Sequence, residues 1–420
     1  MTLVILPSLD DDEYDSDEYP ELKPDLTALS DLIYTGTRRR IKSCQKATRG
    51  RYHEIYILDT TDVQKLVARL CRLPREPAVL RSEVATMTLV RSRTSVPVPA
   101  VHLFEDSPSN DVGMQFIVMD HIEGVHLYRI WDDLTLQHKK DVVSQMAWVL
   151  GLLSSMEFDT IGSIIEDGSV GPLLHRILDE VHGQDMVKDM SDGPFGSTSD
   201  YLSLFLNHFS SNSAISEENR ARSPEIQTIL ENYFTSHGDE LYIRPPFRLR
   251  HADFDGQNLL FARSDNASSP CLVGVIDWDY SHTAPLYFLY EYPTFIQDIS
   301  SSEHLYEENA VLRQHFVRAL RGQFSPGSTR YNEVRACIPS GKCSTLNGFM
   351  DIFMTGFTWS NRILQGLIGD YVITEGQGIG KAYEGREDWA PDPDDESESD
   401  ECGKAYESII SSLPRLRVDR

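Results

Sequence analysis

Hydrophobic and polar positions change their rhythm about a third of the way along the chain. Residues 53–60, "HEIYILDT", and 64–71, "QKLVARLC", are two β-rich runs separated by a short Thr-Asp turn, a hairpin signal. Residues 80–93, "LRSEVATMTLVRSR", have helical spacing and stop before "SVPVPAVHLFE", where Pro97 and Pro99 force an extended path. "MQFIVMDHI" over 114–122 reads as a further buried strand. Beyond it the pattern turns helical. Val142, Val143, Met146, Val149, Leu150 and Leu153 form one apolar stripe, and 199–209 and 225–237 read as two more helices. The polar stretch "SSNSAISEENRARSP" between those two reads as a mobile connection. The pattern therefore predicts strands with one helix over 31–120, a small β-rich lobe, followed by a large, mostly helical lobe over 121–383. No internal repeat is visible.

At 420 residues the chain is long enough for two lobes, and 40% hydrophobic with 10% aromatic residues is a folding composition. The formal charge of −26 argues against nucleic acid or an anionic membrane as the main partner. Much of it is local. Residues 8–21 carry −8 and residues 384–401 carry −9, so the remainder is only mildly acidic. Neither run has the apolar spacing to bury surface. This predicts a disordered acidic leader over 1–30, a second disordered acidic segment over 384–401 and a tail over 402–420. The six cysteines are scattered without a CxxC pair, which indicates neither a zinc site nor a disulfide framework. The opening residues have no basic signal-peptide region, and no apolar run approaches 18 residues. A reduced, cytoplasmic setting is expected. Nothing in the pattern speaks to oligomeric state.

The chemistry concentrates in "RLRHADFDGQNLLF", residues 248–261. His251, Asp253, Asp255 and Asn258 fall within eight positions. Just downstream, "LLFAR" and "CLVGVIDWD" flank the turn-rich "SDNASSP", a hairpin signature. A hairpin centred near Ala267 and Ser268 sets Asn258 opposite Asp277. Paired strands lie about 5 Å apart, so an amide oxygen and a carboxylate could share one hard cation. Asp253 would face the same point from the preceding loop. A base beside two oxygen ligands for Mg²⁺ is what phosphoryl transfer needs. The bland alternative is that Asp253 and Asn258 merely cap a surface turn and Asp277 ends a strand.

"HADFDGQN" followed by "VIDWD" resembles the catalytic loop and metal-binding motif of the aminoglycoside phosphotransferase (APH)/choline kinase-like family, relatives of protein kinases. "DGPFGSTSDYL" and "RSEVATMTLVRSRTSVPVP" resemble segments of its fungal members, and the likeness runs from about 45 to 300. The resemblance implies an α+β, bilobal protein kinase-like fold that uses ATP and Mg²⁺ to phosphorylate a hydroxyl of a small molecule. Asp253 would be the catalytic base, and Asn258 and Asp277 the Mg²⁺ ligands. Arg69 would meet the nucleotide phosphates in place of the usual strand lysine, with Glu83 as its helix partner. "ATRGRYHEIY" would cover the phosphates, with Gly50 its only glycine. The backbone from Met119 to Ile122 would meet adenine.

Three departures from the family pattern stand out. Ala252 replaces a glycine, Asp255 replaces a histidine, and Arg69 offers a planar fork where lysine offers a point charge. With the glycine-poor phosphate loop, these keep open a weakly active or inactive kinase-like binding or scaffold protein. Arg69 and Glu83 could also be an ordinary surface ion pair. His251 reads as a structural hydrogen-bonding residue, Asp255 and Asp279 as solvated side chains, and Trp278 as core. A protein kinase is disfavoured, because no activation segment or A-P-E ending follows Asp277.

Overall fold

The computed structural model describes residues 3–6, 20–181, 184–212, 217–238, 242–262, 269–297 and 303–337. The acidic segment 384–401 and the tail 402–420 lie outside them. Six strands build the first lobe: β1 (Val4–Leu6), β2 (Ile41–Arg49), β3 (His53–Thr60), β4 (Lys65–Cys71), β5 (Val101–Glu105) and β6 (Phe116–Asp120). Their order is β1-β2-β3-β4-β6-β5, antiparallel except for the β1–β2 pair. Two helices, α1 (Leu26–Thr37) and α2 (Pro77–Arg93), accompany this sheet.

Side chains alternate along β4, and that alternation decides where Arg69 points. Leu66, Ala68 and Leu70 enter one core with Leu29 and Ile33 of α1, and Phe116 and Val118 of β6 join them. Cys71 and, on β6, Ile117 and Met119 enter a second core with Leu80, Met87 and Val90 of α2. Arg69 shares the parity of Cys71 and therefore faces α2.

Helix α1 corrects the reading of a lobe with one helix behind a solvated leader. Asp25 caps it, accepting from the N–H groups of Thr27 and Ala28. Leu29 and Ile33 are fully buried, worth about 1.5–3 kcal/mol each. The N–H of Leu22 donates to Glu54 at 2.8 Å and Glu21 pairs with Lys46, so the end of the acidic run is tied to the sheet. β1 also falls inside the 1–30 stretch.

The second lobe contains α3 (Leu136–Leu153), α4 (Thr198–Ser211), α5 (Glu217–Arg220), α6 (Ser223–His237), α7 (Leu286–Leu289), α8 (Tyr306–Arg321) and α9 (Thr329–Cys337). The α3 stripe is buried as the spacing predicts, from Val142 to Leu153. α5 interrupts the polar connection expected between α4 and α6, of which residues 213–216 lie outside the described residues. Short sheets carry the functional loops. One joins β14 (His282–Ala284), β11 (Phe247–Arg250) and β8 (Glu157–Phe158); another joins β13 (Leu272–Val275), β12 (Leu259–Phe261) and β7 (Val125–His126). A separate hairpin pairs β9 (Leu173–Val181) with β10 (Gln184–Asp192). The result is an α+β, two-lobed protein kinase-like fold. Among the described residues, no helix is long and apolar enough to cross a membrane.

Candidate functional site

The loop after β11 is built around His251. Its Nδ1 accepts from the N–H of Asp253 at 3.1 Å, and its Nε2 donates to the carbonyl of Ile276 at 3.0 Å. Burial holds this imidazole neutral, with its pKa lowered to about 4. His251 is thus a structural tie between the loop and the strand that delivers Asp277. Gly256 closes the loop on Tyr128, whose N–H donates to its carbonyl at 3.2 Å. A Cβ at Gly256 would stand 3.2 Å from that same nitrogen, so the close approach favours glycine.

Asp253 is exposed, and its Oδ2 accepts from Asn258 Nδ2 and Gln257 Nε2, both at 2.8 Å. Asn258 is buried and donates a second bond, at 2.9 Å, to the Asp253 carbonyl. With its nitrogen committed to Asp253, the amide oxygen of Asn258 is the atom left for a cation. Asp255 accepts from the N–H of Gly256 at 2.6 Å, and burial raises its pKa. It is a half-buried turn residue, not a solvated one.

The β12–β13 hairpin forms, but its register differs by one from the sequence expectation. Leu259 pairs with Val275, and the N–H of Ile276 donates to the carbonyl of Asn258. Asn258 therefore stands opposite Ile276, not Asp277. A one-residue slip along a regular strand would aim Asp277 at the other face. The strand ends at Val275, and Asp277 adopts φ +60°, a left-handed conformation that costs a non-glycine residue about 1–2 kcal/mol. The kink turns Asp277 towards Arg69, while Trp278 is fully buried and donates to the Val275 carbonyl.

Around Arg69 an ion cluster joins the two lobes. Its guanidinium donates to Glu83 on α2 and, at 2.8 Å, to Asp277, and lies 3.6 Å from Asp279. Arg69 and Glu83 are buried, so they are an interior pair and not a surface one. Asp279 is half-buried and is gripped by Arg75, against the expectation of a solvated side chain. One carboxylate oxygen each from Glu83, Asp277 and Asp279 falls within 4.8 Å of the others, and Oδ1 of Asp279 has no hydrogen-bond partner. Burial alone would raise Asp279, but Arg75 and Arg69 outweigh it and hold the carboxyl well below its ordinary range. Burial raises Glu83 well above its ordinary value, and burial with the charge of Asp279 raises Asp277, in both cases against the pull of Arg69. The oxygens of all three carboxylates face Arg69, so a divalent cation bound here would share them with that guanidinium.

Two features had no signature in the sequence. Arg75 belongs to no motif. Arg176 of β9 stacks between the rings of Tyr52 and Tyr280, its guanidinium carbon 4.8 and 4.9 Å from their centroids. Asp189 of β10 accepts from Tyr280 at 2.5 Å and pairs with Arg176 at 3.3 Å, so this hairpin is tied to the segment just after Asp279. The alternation in "DWD" around a buried Trp278 was the available signal for Asp279.

Gly50 lies in the turn between β2 and β3, and its carbonyl accepts from Arg72 at 2.6 Å. It has no positive φ, and a Cβ there would meet only ordinary contacts, so nothing in the fold demands a glycine. Met119 is near the end of β6, and Ile122 follows in the connection to β7, where its side chain packs over Gly274. The stretch from Met119 to Ile122 thus bridges the two lobes.

Known proteins resemble this chain in sequence. Over 315 residues the chain is 24% identical to a subtelomeric hrmA-associated cluster protein of Aspergillus fumigatus, a match spanning 61% of each chain. It is 31% identical over 163 residues to "Altered inheritance of mitochondria protein 9, mitochondrial" of Meyerozyma guilliermondii, covering 37% of this chain and 27% of that one. The chain thus matches less than two thirds of the length of these relatives. Among solved structures, the streptomycin–ATP ternary complex of APH(2")-IIa aligns with a TM-score of 0.47 at 14% identity, covering 84% of this chain and 98% of that one. The family model described as "Phosphotransferase enzyme family" (APH) matches residues 43–288, a span that holds Arg69, Glu83, Asp253, Asn258 and Asp277, and the chain belongs to that family.

Proposed function

We propose that the protein transfers the γ-phosphoryl group of ATP to a hydroxyl of a small molecule. One observation carries this reading: the exposed Asp253 carboxylate is held by Asn258, whose backbone is bonded to the strand that leads into Asp277. Asp253 accepts the proton of the acceptor hydroxyl as its oxygen bonds to the γ-phosphorus, and the bond from that phosphorus to the bridging oxygen breaks to release ADP. Asn258, through its amide oxygen, and Asp277 would hold Mg²⁺. That ion supplies charge neutralisation along the phosphates when bound. Arg69, kept in place by Glu83, turns its positive charge towards the phosphates, and Arg75 keeps Asp279 ionised beside it. The Gly50 turn would cover the phosphates, and the backbone between Met119 and Ile122 would meet adenine.

A small acceptor is favoured over a peptide by the path after Asp277. Five residues later the chain is already in β14, paired with β11, with no room for an activation segment. A cytoplasmic setting without a nucleic-acid or membrane partner agrees with the acidic charge.

A second reading, a binding or scaffold protein with little turnover, has its own observation: Arg69 occupies the carboxylate of Asp277 that the cation would use. One pair of measurements separates the two. Calorimetry of Mg·ATP binding should give a Mg²⁺-dependent affinity in the wild type that Asp277→Ala weakens. An ATP-consumption screen over hydroxyl-bearing metabolites, run against Asp253→Asn, should then yield an acceptor. Mg·ATP binding without turnover on any acceptor favours the scaffold. Unchanged affinity in Asp277→Ala removes the metal assignment.

A further inference from the structure

Away from the cleft, three side chains of metal-ligating chemistry converge from three elements. His175 on β9 stands opposite Met190, so Asp192 is its diagonal neighbour on the same face of the hairpin. His208 comes from the last turn of α4, three residues beyond Phe205, whose ring His175 meets edge-on at 5.6 Å. The two imidazole centroids are 5.2 Å apart. One ligand atom from each of His175, Asp192 and His208 lies within 4.8 Å of the other two.

A structural His–Asp hydrogen bond explains only part of this. Nε2 of His175 faces Asp192 Oδ2 at 2.9 Å. Nδ1 of His175, a residue only 5% exposed, is buried without a partner, and so is Nε2 of His208. Interiors seldom leave ring nitrogens unanswered. Nε2 of His208, unanswered beside the His175 and Asp192 pair, fits a ligand that accepts lone pairs.

The geometry points to a site for a divalent transition-metal ion, Zn²⁺ foremost, held by His175, Asp192 and His208. Two imidazoles and one carboxylate select such an ion over Mg²⁺ or Ca²⁺, which prefer all-oxygen shells. Three protein ligands leave the fourth position of a tetrahedral ion to water. Zn–N bonds of about 2.0–2.1 Å require the three donors to close in, drawing the β9–β10 hairpin onto α4. That hairpin carries Arg176 and Asp189, which reach Tyr280 and Tyr52 at the cleft. The ion would therefore brace the strap that flanks the nucleotide side of the molecule.

The test uses the full chain, stripped with a chelator and titrated with Co²⁺ alone in the absence of nucleotide. The expected result is one Co²⁺ per chain with the strong visible absorption of a four- or five-coordinate ion, displaced by Zn²⁺ and not by excess Mg²⁺. His208→Gln and Asp192→Asn should each weaken binding by more than the roughly 10–100-fold that loss of an outer-shell partner costs. Asp277→Ala should leave the Co²⁺ spectrum unchanged. Since His208 Nε2 makes no hydrogen bond, His208→Gln is expected to keep the fold, checked by circular dichroism, and it decides the matter if Asp192→Asn unfolds. Absence of the absorption in the wild type, or its persistence at full affinity in folded His208→Gln, overturns the site.

Discussion

Arg69 on β4 holds the carboxylate of Asp277, 208 residues further along the chain, at 2.8 Å. The other arm of the same guanidinium is bonded to Glu83 on α2. A planar fork can serve two carboxylates at once, which a lysine ammonium in the same place does with less geometric control. Arg69 is therefore a structural feature of this region, one that links strand, helix and the loop after β13.

Removing Arg69 leaves Glu83, Asp277 and Asp279 crowded together with Arg75 as the remaining cation. Breaking a buried pair from one side costs about 3–5 kcal/mol, because an uncompensated charge stays behind. Arg69→Met is expected to lose stability on that scale in urea unfolding, and Arg69→Lys less. Adding Glu83→Gln to Arg69→Met should recover part of the loss. A double variant less stable than the single one by the full cost of Glu83→Gln alone would show that the two residues do not act on each other.

The end of the acidic leader gives a second expectation. Glu54 is fully buried and accepts from the N–H of Leu22 and from the Tyr56 hydroxyl. Deleting residues 1–24 strips one of those donors and the β1 strand. Loss of a partner for a buried acceptor costs about 1–3 kcal/mol, so the melting temperature should fall by several degrees. Deleting only residues 7–19 should change it little, and equal melting temperatures for wild type and the 1–24 deletion would show that these ties contribute nothing.

What could be read from the sequence followed local rules. The strand runs of β3 and β4, the stripe of α3 and the turn chemistry around Asn258 all express periodicities of two or 3.6. The register of β12 and β13 did not follow: Phe261 pairs with Leu272, two residues from the expected alignment, and a bulge between Leu260 and Phe261 that no residue announces restores one of them. Nor does any glycine mark the positive φ of Asp277. Helix α1 was hidden by the acidic run beside it, although Asp25, Leu29 and Ile33 carry a cap and a stripe. Arg75 and Arg176 meet Asp279 and Tyr280, partners more than a hundred residues away, and a single arginine has no pattern of its own.

Acid should loosen the fold through its histidines. Burial lowers His251, His282 and His315 to about 4 each. Their unfolded value is about 6.5, so between those two limits the unfolded chain binds protons that the native chain does not. The stability they supply is complete above about pH 6.5 and is lost as the pH falls towards 4. Glu83 and Asp277, raised by burial, work in the opposite direction, so the clean measurement is a difference. His315→Gln, which loses the contact to Ser144 at 2.8 Å, should show a shallower dependence of melting temperature on pH over that window. Parallel curves for variant and wild type would remove His315 from the linkage.

Asp253 gives the most direct test of the chemistry. Its Oδ2 is oriented by Asn258 and Gln257, and the side chain is otherwise open to an acceptor. Asp253→Asn retains an oxygen for those two donors but loses the negative charge that takes the acceptor proton. Proton transfer by a positioned side chain is worth about 10²–10⁴-fold, so kcat should fall by at least ~10² while the affinity for Mg·ATP is retained. Asp255 is the nearest other carboxylate, yet its oxygen is committed to the N–H of Gly256 within the turn. Asp255→Asn is therefore expected to leave kcat within a few-fold of wild type. Steady-state kinetics on an acceptor found in the metabolite screen distinguishes the two. Near-normal turnover in Asp253→Asn, with a collapse in Asp255→Asn, would move the base to the turn residue and require the loop to open before an acceptor binds.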